Sequence, residues 1–152
     1  MKKAIKIILV ILWMSIIFCF SNQKADDSSK LSDGLIVKVA SIFVDKNLST
    51  KDKEIILERY TTIVRKTAHF SIYLILGILV ISLLLEYNIK HIILVSLITC
   101  LLYSISDEVH QLFIDGRSGE VRDVLIDTTG SLVGIGAYYF ISKKYKIVNK
   151  KD

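Results

Sequence analysis

Four long apolar runs alternate with short polar stretches along the chain. They cover about residues 4–20, 67–85, 91–110 and 123–141. An α-helix rises 1.5 Å per residue, so an apolar run of about 19 residues crosses a hydrocarbon core of roughly 30 Å. The pattern therefore predicts an all-α fold, an integral membrane bundle of four transmembrane helices that forms a single domain over residues 1–152.

The segment between the first two spans mixes charges of both signs with regularly spaced apolar residues. The apolar residues at helical spacing are Leu35, Ile36, Val39, Ile42 and Phe43. They predict an extracytoplasmic amphipathic helix that lies on the outer leaflet. A further helix is expected to start at Ser49, because Ser49 to Asp52 has the form of a capping box, and to run through Tyr60 into the second span.

Lysines at both ends of the chain set the predicted orientation. Lys2 and Lys3 precede the first run, and the fourth is followed by Lys143, Lys144, Lys146, Lys150 and Lys151. Because basic flanks stay on the cytoplasmic side, both termini are predicted to lie in the cytoplasm. A cleaved signal peptide is the alternative interpretation of the first run, but no small-x-small cleavage pattern follows Phe20.

Composition and charge fit a membrane protein better than a nucleic-acid-binding protein. Hydrophobic residues make up 52% of the 152 residues, and the mean hydropathy is +0.50. The net charge of +5 comes from lysines near the termini, and no basic face interleaved with aromatic residues is visible, so no nucleic-acid partner is expected. Cys19 and Cys100 lie inside apolar runs, which predicts neither a disulfide framework nor a thiolate metal site.

Polar side chains gather at one end of the last three predicted helices. On each helix, residues spaced four positions apart share one face. These residues are Arg65, His69 and Tyr73 on the second helix, Tyr103, Asp107 and Gln111 on the third, and Asp123 and Asp127 on the fourth. An ionisable group inside an apolar segment costs roughly 2.5 to 3.5 kcal/mol on insertion scales, so these groups are expected to have partners or a ligand. The predicted topology places them on the outer side of the membrane.

The face of the fourth helix that carries Asp127 continues with Gly130 and Gly134. Such a GxxxG pair lets a second helix approach closely. We expect it to draw the fourth helix against the second or third helix and to bring Asp127 within reach of Arg65 or His69.

Several of the polar residues also have simpler structural interpretations. Arg65 can serve as an anchor at the membrane interface, and Asp123 as a favourable charge at a helix amino terminus. Glu108 lies off the main polar face and can be a solvated side chain. Arg117 follows Gly116 in a tight connection and can be a turn residue.

Metal binding is not predicted from the sequence. His69, Asp107, Glu108 and His110 carry possible ligand atoms, but their spacing fixes no coordination geometry and no HExxH-like pattern is present. No metal and no cofactor are therefore expected. His69 is equally well explained as a hydrogen-bonded structural histidine, and Tyr73 as a residue of the aromatic belt.

Four motifs within about residues 60–137 give the chain a resemblance to the VanZ-like membrane proteins. They are Arg65-Lys66-Thr67-Ala68-His69-Phe70 with Tyr73 and Gly77, Ser106-Asp107-Glu108-Val109-His110-Gln111-Leu112-Phe113, Gly116-Arg117-Ser118-Gly119, and Asp123-Val124-Leu125-Ile126-Asp127 with Gly130 and Gly134. The resemblance implies a small multi-pass protein of the bacterial cell envelope. Some members of that family are linked to reduced susceptibility to teicoplanin-type glycopeptides. The resemblance implies no established reaction.

Two positions depart from the pattern of that family. Asp115 stands where proline is common, and Asp127 stands where many members have asparagine. The first change loosens the loop. The second adds a negative charge that Arg65, Arg117 or a bound cation has to balance.

Three functions fit this pattern. The first is binding of the headgroup of a membrane lipid or a lipid-linked cell-wall precursor, with arginines as donors to phosphate or carboxylate groups. The second is an intramembrane enzyme that acts on a headgroup by acid-base or metal-assisted chemistry, and the third is a purely structural role in locking the helices together. We favour binding, because no nucleophile–base pair is visible and the charged groups exceed what helix packing needs. No protein partner is indicated. The predicted binding residues are Arg65, His69, Tyr73, Asp107, Glu108, Gln111, Arg117, Asp123 and Asp127.

Overall fold

Four long helices make up most of the structure. A computed structural model describes residues 2–22, 50–87 and 89–148. The helices are α1 (Lys2–Ser21), α2 (Thr50–Leu84), α3 (Ile92–Gln111) and α4 (Val121–Val148), and a 3-10 turn at Leu85–Tyr87 follows α2. Across these described ranges no strand occurs, so the predicted all-α fold is confirmed.

Each helix contains a stretch that is long and apolar enough to cross a membrane. These stretches are Lys3–Ser21, Ile92–Gln111, Val121–Lys144 and Arg59–Tyr87, the last of which includes the 3-10 turn after α2. The last begins earlier than the predicted residue 67, because α2 runs without interruption from Thr50 through the start of the apolar run, as the capping pattern indicates. The predicted amphipathic helix around Leu35 lies outside the described residues. The chain is a multi-pass membrane protein.

Apolar side chains cover the outer surface of the bundle. Ile8, Leu102 and Phe140 are 63%, 61% and 73% exposed, respectively. The buried apolar core is small and consists of Ile17, Tyr73, Leu76, Val80, Ile81, Cys100 and Ile135. Since apolar side chains are equally at home against lipid tails, close packing and polar contacts have to hold the helices together.

Glycines allow α2 and α4 to lie very close together, in the most extensive of the helix contacts. A Cβ atom added at Gly130 would collide with the carbonyl oxygen of Phe70, and one added at Gly134 with the carbonyl oxygen of Leu74. From the other side, Gly77 of α2 fits against the backbone of α4. The expected close approach at the GxxxG pair is confirmed, and its partner is α2.

Side-chain to backbone hydrogen bonds fasten α1 to its neighbours. The indole Nε1 of Trp13 donates to the carbonyl oxygen of Ile72 on α2 over 3.0 Å. The hydroxyl of Tyr103 on α3 donates to the carbonyl oxygen of Met14 over 2.6 Å. Buried donors need such partners, so these bonds set how α1 lies against α2 and α3.

Candidate functional site

The carboxyl ends of α1 and α3 and the beginning of α4 meet the early part of the α2 span at one end of the bundle. We call this region the polar end, and it contains Ser21, Arg65, His69, Tyr73, Asp107, Glu108, His110, Gln111, Arg117, Asp123 and Asp127. Asp107, Glu108, Gln111, Asp123 and Asp127 are all buried, with exposures of 4%, 5%, 5%, 6% and 0%. The structure thus brings together, at one end of the bundle, groups whose spacing along separate helices predicted a common level.

Asp127 of α4 lies at the centre of the polar end and is fully buried. Its Oδ2 accepts a hydrogen bond of 3.0 Å from the hydroxyl of Ser104 on α3. Its Oδ1 lies 3.5 Å from Nδ1 of His69 on α2. The predicted approach of Asp127 to His69 is therefore confirmed, and one carboxylate connects three helices.

The alternative partner, Arg65, does not reach Asp127. Its side chain is exposed, and among the residues that the structure describes it forms no ion pair with that carboxylate. Arg65 lies four residues before His69, one turn farther from the level at which the glycine pair seats α4 against α2. The charge of Asp127 is thus not balanced by this arginine.

Glu108 is buried, so the interpretation as a solvated side chain is wrong. Its Oε2 accepts a hydrogen bond of 2.9 Å from the backbone N–H of Glu120, and its Oε1 accepts one of 3.3 Å from Nε2 of Gln111. The chain can fold back this far because Gly119 lies against the Glu108 backbone, where a Cβ atom would come within 2.7 Å of the carbonyl oxygen. These contacts hold the Glu108 carboxylate inside the bundle.

Asp123 combines two favourable positions. It lies in the first turn of α4, where a negative charge interacts well with the helix dipole. Its Oδ1 also lies 3.5 Å from Nζ of Lys66 on α2. Lys66 therefore pairs with a carboxylate whose side chain is only 9% exposed.

Asp107 lies near two hydroxyl groups that do not complete its hydrogen bonding. Ser21 of α1 and Tyr73 of α2 are close enough to interact with its carboxylate. Even so, among the described residues none of these contacts has the full geometry of a hydrogen bond at Asp107 Oδ2 or at either hydroxyl oxygen. Tyr73 is only 1% exposed, so its interpretation as a residue of the aromatic belt is wrong.

Buried polar atoms without a hydrogen-bond partner are concentrated at the polar end. Within the described part of the chain they are Ser21 Oγ, Tyr73 OH, Asp107 Oδ2, His110 Nε2, Asp123 Oδ1 and Asp127 Oδ1. All four helices contribute to this set. Buried polar atoms are normally hydrogen-bonded, and each one left unsatisfied costs about 1–3 kcal/mol. Two of them, Asp123 Oδ1 and Asp127 Oδ1, lie 3.5 Å from a nitrogen of Lys66 and of His69, respectively.

Two arginines lie close together at the rim of the polar end. Arg117, in the connection between α3 and α4, is partly buried and donates a long hydrogen bond of 3.5 Å to the carbonyl oxygen of Phe20. Burial and the neighbouring Arg65 lower the pKa of Arg117, whereas Asp107 and Glu108 act in the opposite direction. Since an arginine stays protonated in proteins, the two guanidinium groups repel each other and together favour an anion.

Three residues that the sequence did not mark as site residues take part in the polar end. Ser104 binds Asp127, Lys66 pairs with Asp123, and Ser21 lies beside Asp107. Ser104 lies one turn before Asp107 on the same helix, so the sequence could have identified it as part of the polar face. The proximity of Ser21 to α3 depends on how α1 packs, which no local pattern records.

Three potential metal ligands from three helices come together here. His69, Glu108 and Asp127 each offer one ligand atom, and these atoms all lie within 4.8 Å of one another. Sequence spacing gave no reason to group them, because they come from α2, α3 and α4. An imidazole nitrogen with two carboxylate oxygens is a donor set used for divalent transition metals.

Comparison with known proteins gives one match. The model of the VanZ/LLP1 family matches residues 6–142. No curated protein and no solved structure shows a significant match. The family match covers nearly the whole chain, which is more than the four motifs within residues 60–137.

Proposed function

Because the chain belongs to the VanZ/LLP1 family, we propose that its polar end binds the headgroup of a membrane lipid or a lipid-linked cell-wall precursor. We also propose that the protein lies in the bacterial cytoplasmic membrane, with both termini in the cytoplasm and the polar end at the outer leaflet. Through such binding the protein would modulate susceptibility to teicoplanin-type glycopeptides. The terminal lysines support this orientation.

The observation that carries the proposal is the set of buried polar atoms without partners. A cluster that only locks helices together would use its donors and acceptors on one another, because each unsatisfied atom opposes folding. Here Tyr73 OH and Asp107 Oδ2 lie close together, yet neither atom forms a hydrogen bond of full geometry with a described residue. Their hydrogen-bonding capacity is left for a molecule that enters the polar end.

The distribution of charge indicates what kind of headgroup would fit. Arg65 and Arg117 lie at the rim, near enough for their charges to interact, and each guanidinium group can donate charge-assisted hydrogen bonds to a phosphate or carboxylate. Asp107 lies deeper, where its Oδ2 can accept a hydrogen bond from an ammonium, amide or hydroxyl group. A headgroup that carries phosphate together with amide or amine groups, as a peptidic cell-wall precursor does, matches both parts.

The binding test uses the purified protein in nanodiscs and measures its affinity for a fluorescent lipid-linked cell-wall precursor. Arg117→Gln and Arg65→Gln should each weaken binding by about tenfold or more, since a hydrogen bond to a charged group contributes about 1.5–3 kcal/mol and 1.4 kcal/mol is a factor of ten. Lys90→Gln is the matched control, because it removes an exposed cation at the opposite end of the bundle.

Two outcomes decide between binding and a structural role. If the arginine variants bind the precursor as the wild type does, or if Lys90→Gln weakens binding equally, the polar end does not hold the headgroup.

A second measurement with the anionic lipid phosphatidylglycerol separates the sources of the anion. Equal affinity for both lipids means that a phosphate is recognised, whereas tighter binding of the precursor means that its peptide or sugar part is recognised as well.

A further inference from the structure

We infer that His69, Glu108 and Asp127 form a binding site for one divalent transition-metal ion, of the type of Zn²⁺ or Mn²⁺. This inference goes beyond the proposed headgroup binding and does not depend on it. It also differs from the expectation drawn from sequence spacing, which predicted no metal. The reason for the difference is that ligand atoms on separate helices approach one another only in the folded bundle.

The three ligand atoms already lie near the spacing that a metal ion requires. All are within 4.8 Å of one another, and His69 Nδ1 and Asp127 Oδ1 are 3.5 Å apart. Ligands at about 2.1 Å from a tetrahedral ion are roughly 3.4 Å apart. Only a small inward movement of the Glu108 carboxylate would therefore complete the group.

Neighbouring groups hold both carboxylates as a metal site requires. The Ser104 hydroxyl binds Oδ2 of Asp127 and leaves Oδ1 directed toward His69. The backbone N–H of Glu120 and the amide of Gln111 bind the two oxygens of Glu108. Hydrogen bonds of this kind orient ligating carboxylates, and their loss typically lowers metal affinity by about 10- to 100-fold.

The second observation is an unsatisfied ligand atom. Asp127 is 0% exposed, and its Oδ1, 3.5 Å from His69 Nδ1, forms no hydrogen bond of full geometry with a described residue. A carboxylate oxygen buried in this way needs a proton, a donor or a cation close to it. The neighbouring Asp107, 4% exposed, also has an unpartnered oxygen.

The balance of charges at the polar end also favours a bound cation. No lysine or arginine in the described ranges forms an ion pair with Asp107, Glu108 or Asp127, and the nearby Lys66 is already paired with Asp123. A protonated His69 would supply one positive charge for three buried carboxylates. A dication bound by neutral His69, Glu108 and Asp127 forms a neutral unit, which removes the cost of burying two of the negative charges. The imidazole favours a transition metal over Mg²⁺ or Ca²⁺, which prefer oxygen ligands.

The test measures the metal alone, on purified full-length protein in detergent without added lipid ligand. After loading with Zn²⁺ or Mn²⁺ and gel filtration, the wild type should retain about one ion per chain by elemental analysis. His69→Ala, Asp127→Asn and Glu108→Gln should each lower the affinity at least about tenfold. His91→Asn is the matched control, since His91 is exposed at the start of α3 and has a left-handed backbone that asparagine tolerates.

A spectroscopic measurement keeps the test decisive even when a variant does not fold. Mn²⁺ bound to the wild type should show electron-spin coupling to the nitrogen of one imidazole, and His91→Asn should leave this signal unchanged. Less than about one-tenth of an ion per chain, or bound Mn²⁺ without imidazole coupling, would overturn the inference. So would stoichiometric binding that persists in folded His69→Ala and Asp127→Asn proteins. Because no lipid ligand takes part, failure here leaves the headgroup measurement with the arginine variants untouched.

Discussion

Both ends of the bundle contain charged side chains, but the two ends differ in how closely these side chains are paired and how deeply they are buried. At the end opposite the polar end, Lys6 Nζ lies 2.6 Å from Glu86 Oε1 and donates a hydrogen bond of 2.9 Å to the Ser82 carbonyl oxygen. The two charged side chains of this pair are 26% and 31% exposed. At the polar end, the His69–Asp127 pair is longer, at 3.5 Å, and Asp127 is fully buried.

The difference distinguishes an anchoring pair from a site. A partly exposed and well-bonded ion pair such as Lys6–Glu86 is accounted for by its contribution to stability, which is at most about 1 kcal/mol. Buried charges with free hydrogen-bonding capacity reduce stability instead, and such groups persist where function requires them. The comparison therefore supports the polar end as the place of the proposed binding.

The largest expected effect is an all-or-none difference in accessibility between the two ends. A cysteine introduced at Ser118, in the exposed connection beside the polar end, should react with a membrane-impermeant maleimide on intact cells. One at Lys90, exposed at the opposite end, should react only after the cells are broken. The unmodified chain is the control, because Cys19 and Cys100 lie within membrane spans. Labelling of the Lys90 position alone on intact cells would invert the orientation.

The next largest effect concerns the contact that assembles the polar end. Gly134→Ala forces a Cβ atom into the Leu74 backbone, so we expect the free energy of unfolding to fall by about 1–3 kcal/mol. Gly136→Ala is the matched control, since a Cβ atom there meets nothing within 4 Å and alanine favours a helix by about 1 kcal/mol. Denaturant unfolding in detergent compares the two. Equal effects would show that close α2–α4 packing does not hold the polar end together.

The smallest expected effect tests whether removing a carboxylate changes the free energy of unfolding in opposite directions at the two ends. Asp107→Asn removes a buried negative charge but keeps a polar group at that position, so it should raise the free energy of unfolding by about 1 kcal/mol while weakening ligand binding. Glu86→Gln at the opposite end should lower it by at most about 1 kcal/mol. Unfolding of the ligand-free proteins in one detergent provides both values. A change of the same sign in both variants would remove the distinction between the two ends.

The sequence by itself determined the helices and the depth of their polar groups. Hydropathy and helical spacing are local properties, and they placed four spans and put His69, Asp107 and Asp127 at one level. The GxxxG pair at Gly130 and Gly134 also predicted the close helix contact, because the absence of two Cβ atoms is visible in the sequence.

Only the tertiary structure decided which of these groups meet. It selected His69 over Arg65 as the neighbour of Asp127, because the glycine contact fixes the height and rotation of α4 on α2. It buried Glu108, since the fold-back of the α3–α4 connection supplies the N–H of Glu120. Distances between helices depend on packing among residues far apart in the chain, and periodicity within one helix carries no information about them.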